Sequence, residues 1–183
     1  CSLMHLTNQD ILLILKQDTS KAFRKIVSSY QKPIYHLVRR MVIDHEDAND
    51  ITQDVFIKVW RKIDKFKGDS KIYTWIYRIA VNETLNFLNK KKRRATISIQ
   101  QNDIEVSHKI DNPNLFNGDE IQKRLQKALL KLPNKQRLVF NMKYLEELTY
   151  EQIADITGTS KGALKASYHH AVKKIEKIIT DSF

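Results

Sequence analysis

Ala48, Ile51, Val55, Val59 and Ile63 recur at intervals of three and four residues. Only a helix gathers such a spacing into one apolar stripe, and that stripe must be covered by other elements. The rest of the chain follows the same rule. Four glycines and three prolines in 183 residues leave few breaks, and no alternating run bounded by turn residues is long enough to nominate a sheet. The expected fold class is all-α.

Thr7 followed by Asp10 reads as a helix start that continues through "DILLILKQ". A second helix is expected from about Ser20 to Ser29. Pro33 then opens a third, "PIYHLVRRMV", because proline suits a first turn. The fourth helix, roughly Glu46 to Ile63, carries the stripe. "DKFKGDSK" follows, with Gly68 for the turn and Asp69 or Ser70 to cap a fifth helix from about Lys71. That helix ends in Lys90, Lys91, Lys92, Arg93 and Arg94. Cations suit a helix C-terminus, but five together with no acid between them repel one another unless an anion is near. Phosphate contact is the favoured reading.

Residues 95 to 118 lose periodicity and collect Gln, Asn, Ser and Asp with Pro113 and Gly118. Residues 96–118 are read as a flexible linker between two small helical domains, 4–95 and 119–183, each able to bury a modest core. Charge is segregated along this plan. The whole chain carries +11, yet the stretch around the linker holds Asp103, Glu105, Asp111, Asp119 and Glu120 against Lys109 alone. Basic ends around an acidic middle favour a polyanionic partner.

The second domain opens with "IQKRLQKALLKL", and Pro133 starts a further helix, "NKQRLVFNMKYLEE". Thr149 with Gln152 three residues on is a capping box, so another helix begins there. Ala154 is small where a neighbour must approach. Gly158 supplies the left-handed residue that ends this helix. Ser160 or Thr159 caps the next, and Leu164 packs back on the first. Two short helices about one glycine describe a helix-turn-helix, whose second helix lies in the DNA major groove. Lys161, Lys165, His169 and Lys173 follow at intervals of four on its outer face. Lys165 reaches guanine acceptors or a phosphate, while Lys161 and Lys173 are better placed as phosphate anchors. His170 either donates to a base or covers the core edge.

No charged segment leads into an apolar run and a small-residue cleavage site, so no signal peptide is expected. The single cysteine fits a reducing cytoplasm. His5, His36, His45, His108, His169 and His170 show no metal-ligand spacing, and no glycine loop cradles a phosphate. Neither metal, cofactor nor enzymatic activity is expected.

Both halves resemble the extracytoplasmic-function sigma factors of bacterial RNA polymerase. "DANDITQDVFIKVWRKIDKFKGDSKIYTWIYRIAVNETLNFL" is similar to the family's acidic docking helix, GDS loop and following helix. "LPNKQRLVFNMKYLEELTYEQIADITGTSKGALK" is similar to its helix-turn-helix. The resemblance implies a subunit that docks on core polymerase and directs initiation at promoter DNA, the first domain melting the −10 element and the second reading the −35 element. It assigns docking to Asp50, Gln53, Asp54, Ile57, Lys58 and Arg61. Asp54 with Lys58 also suits a plain surface pair. It assigns −10 contact to the loop with Lys67, Asp69, Ser70 and Lys71, to Tyr73, Asn82 and Asn86, and to Lys90–Arg94. Tyr73, Trp75 and Tyr77 are aromatics for stacking or for the core, Trp75 rather for the core. The −35 element falls to Thr149, Ser160, Lys161, Lys165, Ser167, His169, His170 and Lys173. Ser167 and His170 stand where relatives commonly carry arginine, the usual guanine reader. An anti-sigma factor, often membrane-bound in the family, is an expected partner. The rival reading is a helix-turn-helix regulator without a sigma role, which leaves the first domain unexplained.

Overall fold

Thr7 starts the first helix as a capping box, its hydroxyl accepting the Asp10 N–H while the Asp10 carboxylate takes the Thr7 N–H. The computed structural model describes residues 6–99 and 120–181, and those residues contain helices and turns but no strand. Helix α1 spans Asn8–Gln17, α2 Thr19–Val42, and α3 His45–Lys62 with a 3₁₀ turn at Ile63–Lys65. Helix α4 is Ile72–Ile99, α5 Glu120–Leu130 and α6 Asn134–Phe140, which runs on as a π turn over Asn141–Leu145. Helices α7, Tyr150–Thr157, and α8, Lys161–Thr180, complete the chain. Residues 96–99, expected in the linker, are instead the last turn of α4, and the rest of the expected linker lies outside the described residues.

Helix α2 corrects the expected break at Pro33. Proline removes one ladder hydrogen bond and crowds the carbonyl four residues back, which ordinarily costs about 3 kcal/mol. The apolar stripe of α2 runs straight past it, however: Ala22, Ile26, Tyr30, Ile34, Leu37, Val38 and Met41 are all buried. Each large side chain fully buried there contributes about 1.5–3 kcal/mol, so the stripe outweighs the local penalty. Ile43 at φ 68 ends the helix, and Asp44 caps α3 by accepting the Asp47 N–H.

The predicted stripe of α3 is buried along its length, Ala48, Val55, Val59 and Ile63 completely and Ile51 almost so. Ile11 of α1 and Ile72, Ile76 and Ala80 of α4 are buried too. In the second unit the core gathers Ala128, Leu129 and Leu132 with Phe140 and with Ala171 and Ile175 of α8. Among the described residues no helix is long and apolar enough to cross a membrane.

Candidate nucleic-acid interface and docking face

Burying the stripe of α3 turns its opposite side outward. Asp50, Gln53, Asp54 and Arg61 are exposed, as is Ile57 at 47%, with Lys58 half-buried. Lys58 does not pair along the helix with Asp54. Its ammonium reaches across to Glu83 of α4 at 2.5 Å. Trp60, which sequence reasoning passed over, is 43% exposed on the same side, its ring edge-on to Phe23 at 5.0 Å. The signal was present: a large aromatic three residues beyond Ile57 and off the buried stripe. The face thus combines carboxylates with two exposed apolar side chains, a composition suited to a protein partner.

The turn after α3 needs Gly68, whose φ is 81. Neither Asp69 nor Ser70 takes the first helical N–H of α4. Asn8 of α1 does so, its Oδ1 accepting from Ile72 N at 2.8 Å. Lys67, Asp69 and Lys71 point to solvent and Ser70 is half-buried. Of the three aromatics, Tyr77 is buried to 1% exposure and is not available to a base. Trp75 is half-buried with its ring 5.3 Å from that of Phe66, and Tyr73 is half-buried. Asn82 and Asn86 are exposed one turn apart.

Helix α4 is 28 residues long, about 42 Å at the usual rise. Lys90, Lys91, Lys92, Arg93 and Arg94 are all exposed, and α4 continues past them. Its last turn carries no basic residue, and a helix dipole acts mainly within that turn, so helix-end stabilisation does not account for the run. At roughly 100° per residue, five successive cations encircle the axis. They form a collar rather than a face.

The helix-turn-helix forms as the sequence predicts. The Thr149 hydroxyl accepts from Gln152 N at 3.1 Å, and Gln152 Oε1 takes the Thr149 N–H at 2.8 Å. Gly158 has φ 70 and donates its N–H to Ala154 O. Ser160, not Thr159, caps α8 by accepting from Ala163 N at 3.3 Å. Leu164 is buried, at 1% exposure.

Lys161, Lys165, His169, His170 and Lys173 are exposed, and Ser167 is half-buried. Lys161 pairs with Glu151 at 2.9 Å, and that hydrogen bond holds the Glu151 carboxyl below its usual range. Lys165 Nζ lies 5.9 Å and Lys143 Nζ 4.9 Å from the centre of the Tyr150 ring. Sequence reasoning missed Tyr150 and Lys143, since the two lysines meet at the Tyr150 ring only through the packing of the π turn, α7 and α8. Among the described residues no group of His, Cys, Asp and Glu is placed to hold a metal.

Two family models match the chain: Sigma-70 region 2 over residues 26–94, and Sigma-70, region 4 over residues 122–175. The ECF RNA polymerase sigma-E factor of Escherichia coli is 34% identical over 179 residues, 93% of each chain. The sigma-E factor of Haemophilus influenzae is 32% identical over 182 residues, 95% of this chain and 96% of the relative. Among solved structures, the sigma factor RpoE of Bartonella quintana, determined with the anti-sigma factor NepR, superposes with a TM-score of 0.70 at 23% identity. That match covers 87% of this chain and 98% of the other. CnrH, determined with the cytosolic domain of CnrY, gives 0.70 at 18% identity over 94% and 96%. At those identities the likeness to both structures is one of fold.

Proposed function

The chain belongs to the extracytoplasmic-function sigma factors of bacterial RNA polymerase, and we propose how its surfaces divide that work. A sigma factor binds core polymerase and directs promoter-specific initiation. In this reading residues 4–95 dock on core and open the −10 element, and residues 119–183 hold the −35 element. The observation that carries the assignment is the presence, on one chain, of two different exposed surfaces. One is the acidic and apolar side of α3; the other is the cationic outer side of α8. A DNA-binding regulator needs only the second.

Docking falls to Asp50, Gln53, Asp54, Ile57 and Arg61, with Trp60 added and Lys58 shared with Glu83. At the −10 element a base must leave its stack, and it needs a surface to receive it and donors to read its edge. Tyr73 can stack on it, a contact worth about 1–3 kcal/mol, while Asn82 and Asn86 offer amides. The Lys90–Arg94 collar meets phosphate whichever side of α4 the DNA approaches. At the −35 element Lys165 reads a base edge and Lys161, His169 and Lys173 hold the backbone, with Thr149 and Ser160 at the two helix starts nearest the DNA. Ser167 and His170 lack arginine's two-pronged fork, so the −35 preference of this chain departs from the family's usual one.

The chain acts as a non-catalytic subunit in the cytoplasm, positioning DNA while the polymerase does the chemistry. RpoE of Bartonella quintana was solved with an anti-sigma factor, and we extend a partner of that kind, soluble or membrane-bound, to this chain. Purified chain added to core polymerase tests the assignment. Promoter-specific transcripts support it; binding to promoter DNA without transcripts would leave a plain helix-turn-helix regulator.

A further inference from the structure

Asn8 is the first residue of α1, whose own cap is Thr7, so its side chain is free to serve another element. It spans the glycine loop ahead of α4. Its Nδ2 donates to Gly68 O at 3.2 Å and to Ser70 O at 2.9 Å, and its Oδ1 accepts from Ile72 N at 2.8 Å. Two donors and one acceptor within a single planar group are what a primary amide supplies and a carboxylate or hydroxyl does not. The three backbone groups belong to alternate residues, so one side chain fixes both limbs of the loop. Contact with α1 is close as well. A Cβ added at Gly68 would come within 3.0 Å of Leu12 Cδ1 and 3.7 Å of Asn8 Nδ2.

We propose that Asn8 is a positioning residue for −10 recognition, holding the loop Lys67–Ile72 in the shape that receives an unstacked base without touching DNA itself. The inference rests on the reading of that loop as the −10 site. Recognition geometry must be held to within about 0.5 Å by residues behind the contact surface. A released loop also takes shapes that hold the strand without selecting the base, and these add alike to the binding of cognate and replaced sequences, so the ratio between them falls. Lys67, Asp69 and Lys71 project outward from this loop, so the amide of Asn8 decides where they aim.

The test uses holoenzyme reconstituted from core polymerase and the full chain. Its affinity is measured for a single-stranded −10 oligonucleotide of cognate sequence and for a set in which each base is replaced in turn. Wild type separates cognate from replaced oligonucleotides. Asn8→Ala should reduce that ratio on the order of fivefold as the loop is released, with affinity for core unchanged. Asn8→Asp keeps the acceptor for Ile72 and sets a carboxylate against the two carbonyls; it should reduce the ratio too, from a better preserved fold.

A residue that merely stabilised the domain would lower the active fraction and leave the ratio alone, so an unchanged ratio in both variants overturns the inference. Asp69→Ala and Ser70→Ala separate the two levels of the argument. If these loop variants lower the ratio and the Asn8 variants do not, the role of Asn8 falls alone. If neither set moves it, the loop is not the reader and both readings fall.

Discussion

Lys58 on α3 places its ammonium 2.5 Å from the Glu83 carboxylate on α4, with 41% of the lysine and 18% of the glutamate side chain exposed. The bond ties the proposed docking helix to the helix that carries the proposed −10 residues Asn82 and Asn86. Partly screened pairs of this kind are worth about 0.2–1 kcal/mol. Lys58→Ala and Glu83→Ala should each lower stability by about that amount, and the double variant by less than their sum. Gln53→Ala and Asp54→Ala, on the open side of α3, should leave stability within about 0.5 kcal/mol and weaken binding to core polymerase. Denaturation together with titration against core separates the two sets. Unchanged affinity for core in the Gln53 and Asp54 variants would remove α3 from the interface.

The collar on α4 makes an electrostatic prediction. Each phosphate contact adds about 0.9 to the slope of log affinity against log salt on duplex DNA. Neutralising Lys90–Arg94 should weaken promoter binding for every sequence alike and flatten that slope by more than one contact. A slope equal to wild type would show that the collar faces solvent in the complex.

Gly158 ends α7 at φ 70, and a Cβ placed there meets nothing within 4 Å. The cost of Gly158→Ala is therefore conformational and not steric, about 1 kcal/mol for a left-handed alanine. Gly158→Asn should cost less, because asparagine tolerates that region. Chemical denaturation measures both, and equal losses would point to some constraint other than φ.

Burial, with a smaller contribution from Tyr73, pushes the Tyr30 phenol up from 10.0 to about 12. A folded-state value above the unfolded one means that Tyr30 contributes stability below about pH 10, which is lost as pH rises toward 12. Stability measured across that window should fall more steeply for wild type than for Tyr30→Phe. Parallel curves would mean that the phenol ionises as readily folded as unfolded.

Elements with a local signature were legible in advance. The stripe of α3 follows from spacing alone, and Thr149, Gln152, Gly158 and Ser160 mark both starts and the turn of the helix-turn-helix within a dozen residues. What escaped depends on packing between segments far apart in the chain. Pro33 reads locally as a helix start, and only the buried residues on both sides of it carry α2 through. Lys58 has a plausible partner one turn away in Asp54, yet the nearer carboxylate comes from α4. No periodicity announces that Asn8 caps α4. Tyr77 was within reach of the pattern, since it adjoins Ile76 on the inward row Ile72, Ile76, Ala80, and its neighbours Tyr73 and Trp75 drew it toward a stacking role that burial denies it.

The central claim is that α8 reads the −35 element and so gives the polymerase its promoter choice. The most direct measurement is transcription by core polymerase and the full chain from a promoter library randomised at −35, with wild type, Lys165→Ala and His170→Arg. Lys165 is exposed one turn inside the start of α8, and a good base contact is worth about 1–3 kcal/mol. Lys165→Ala should therefore lower transcription from the preferred promoters roughly tenfold or more and relax the preference at one position, with binding to core unchanged. His170→Arg should shift the preferred sequence. Identical sequence preferences for all three proteins would contradict the claim, leaving α8 to hold the DNA backbone without reading it.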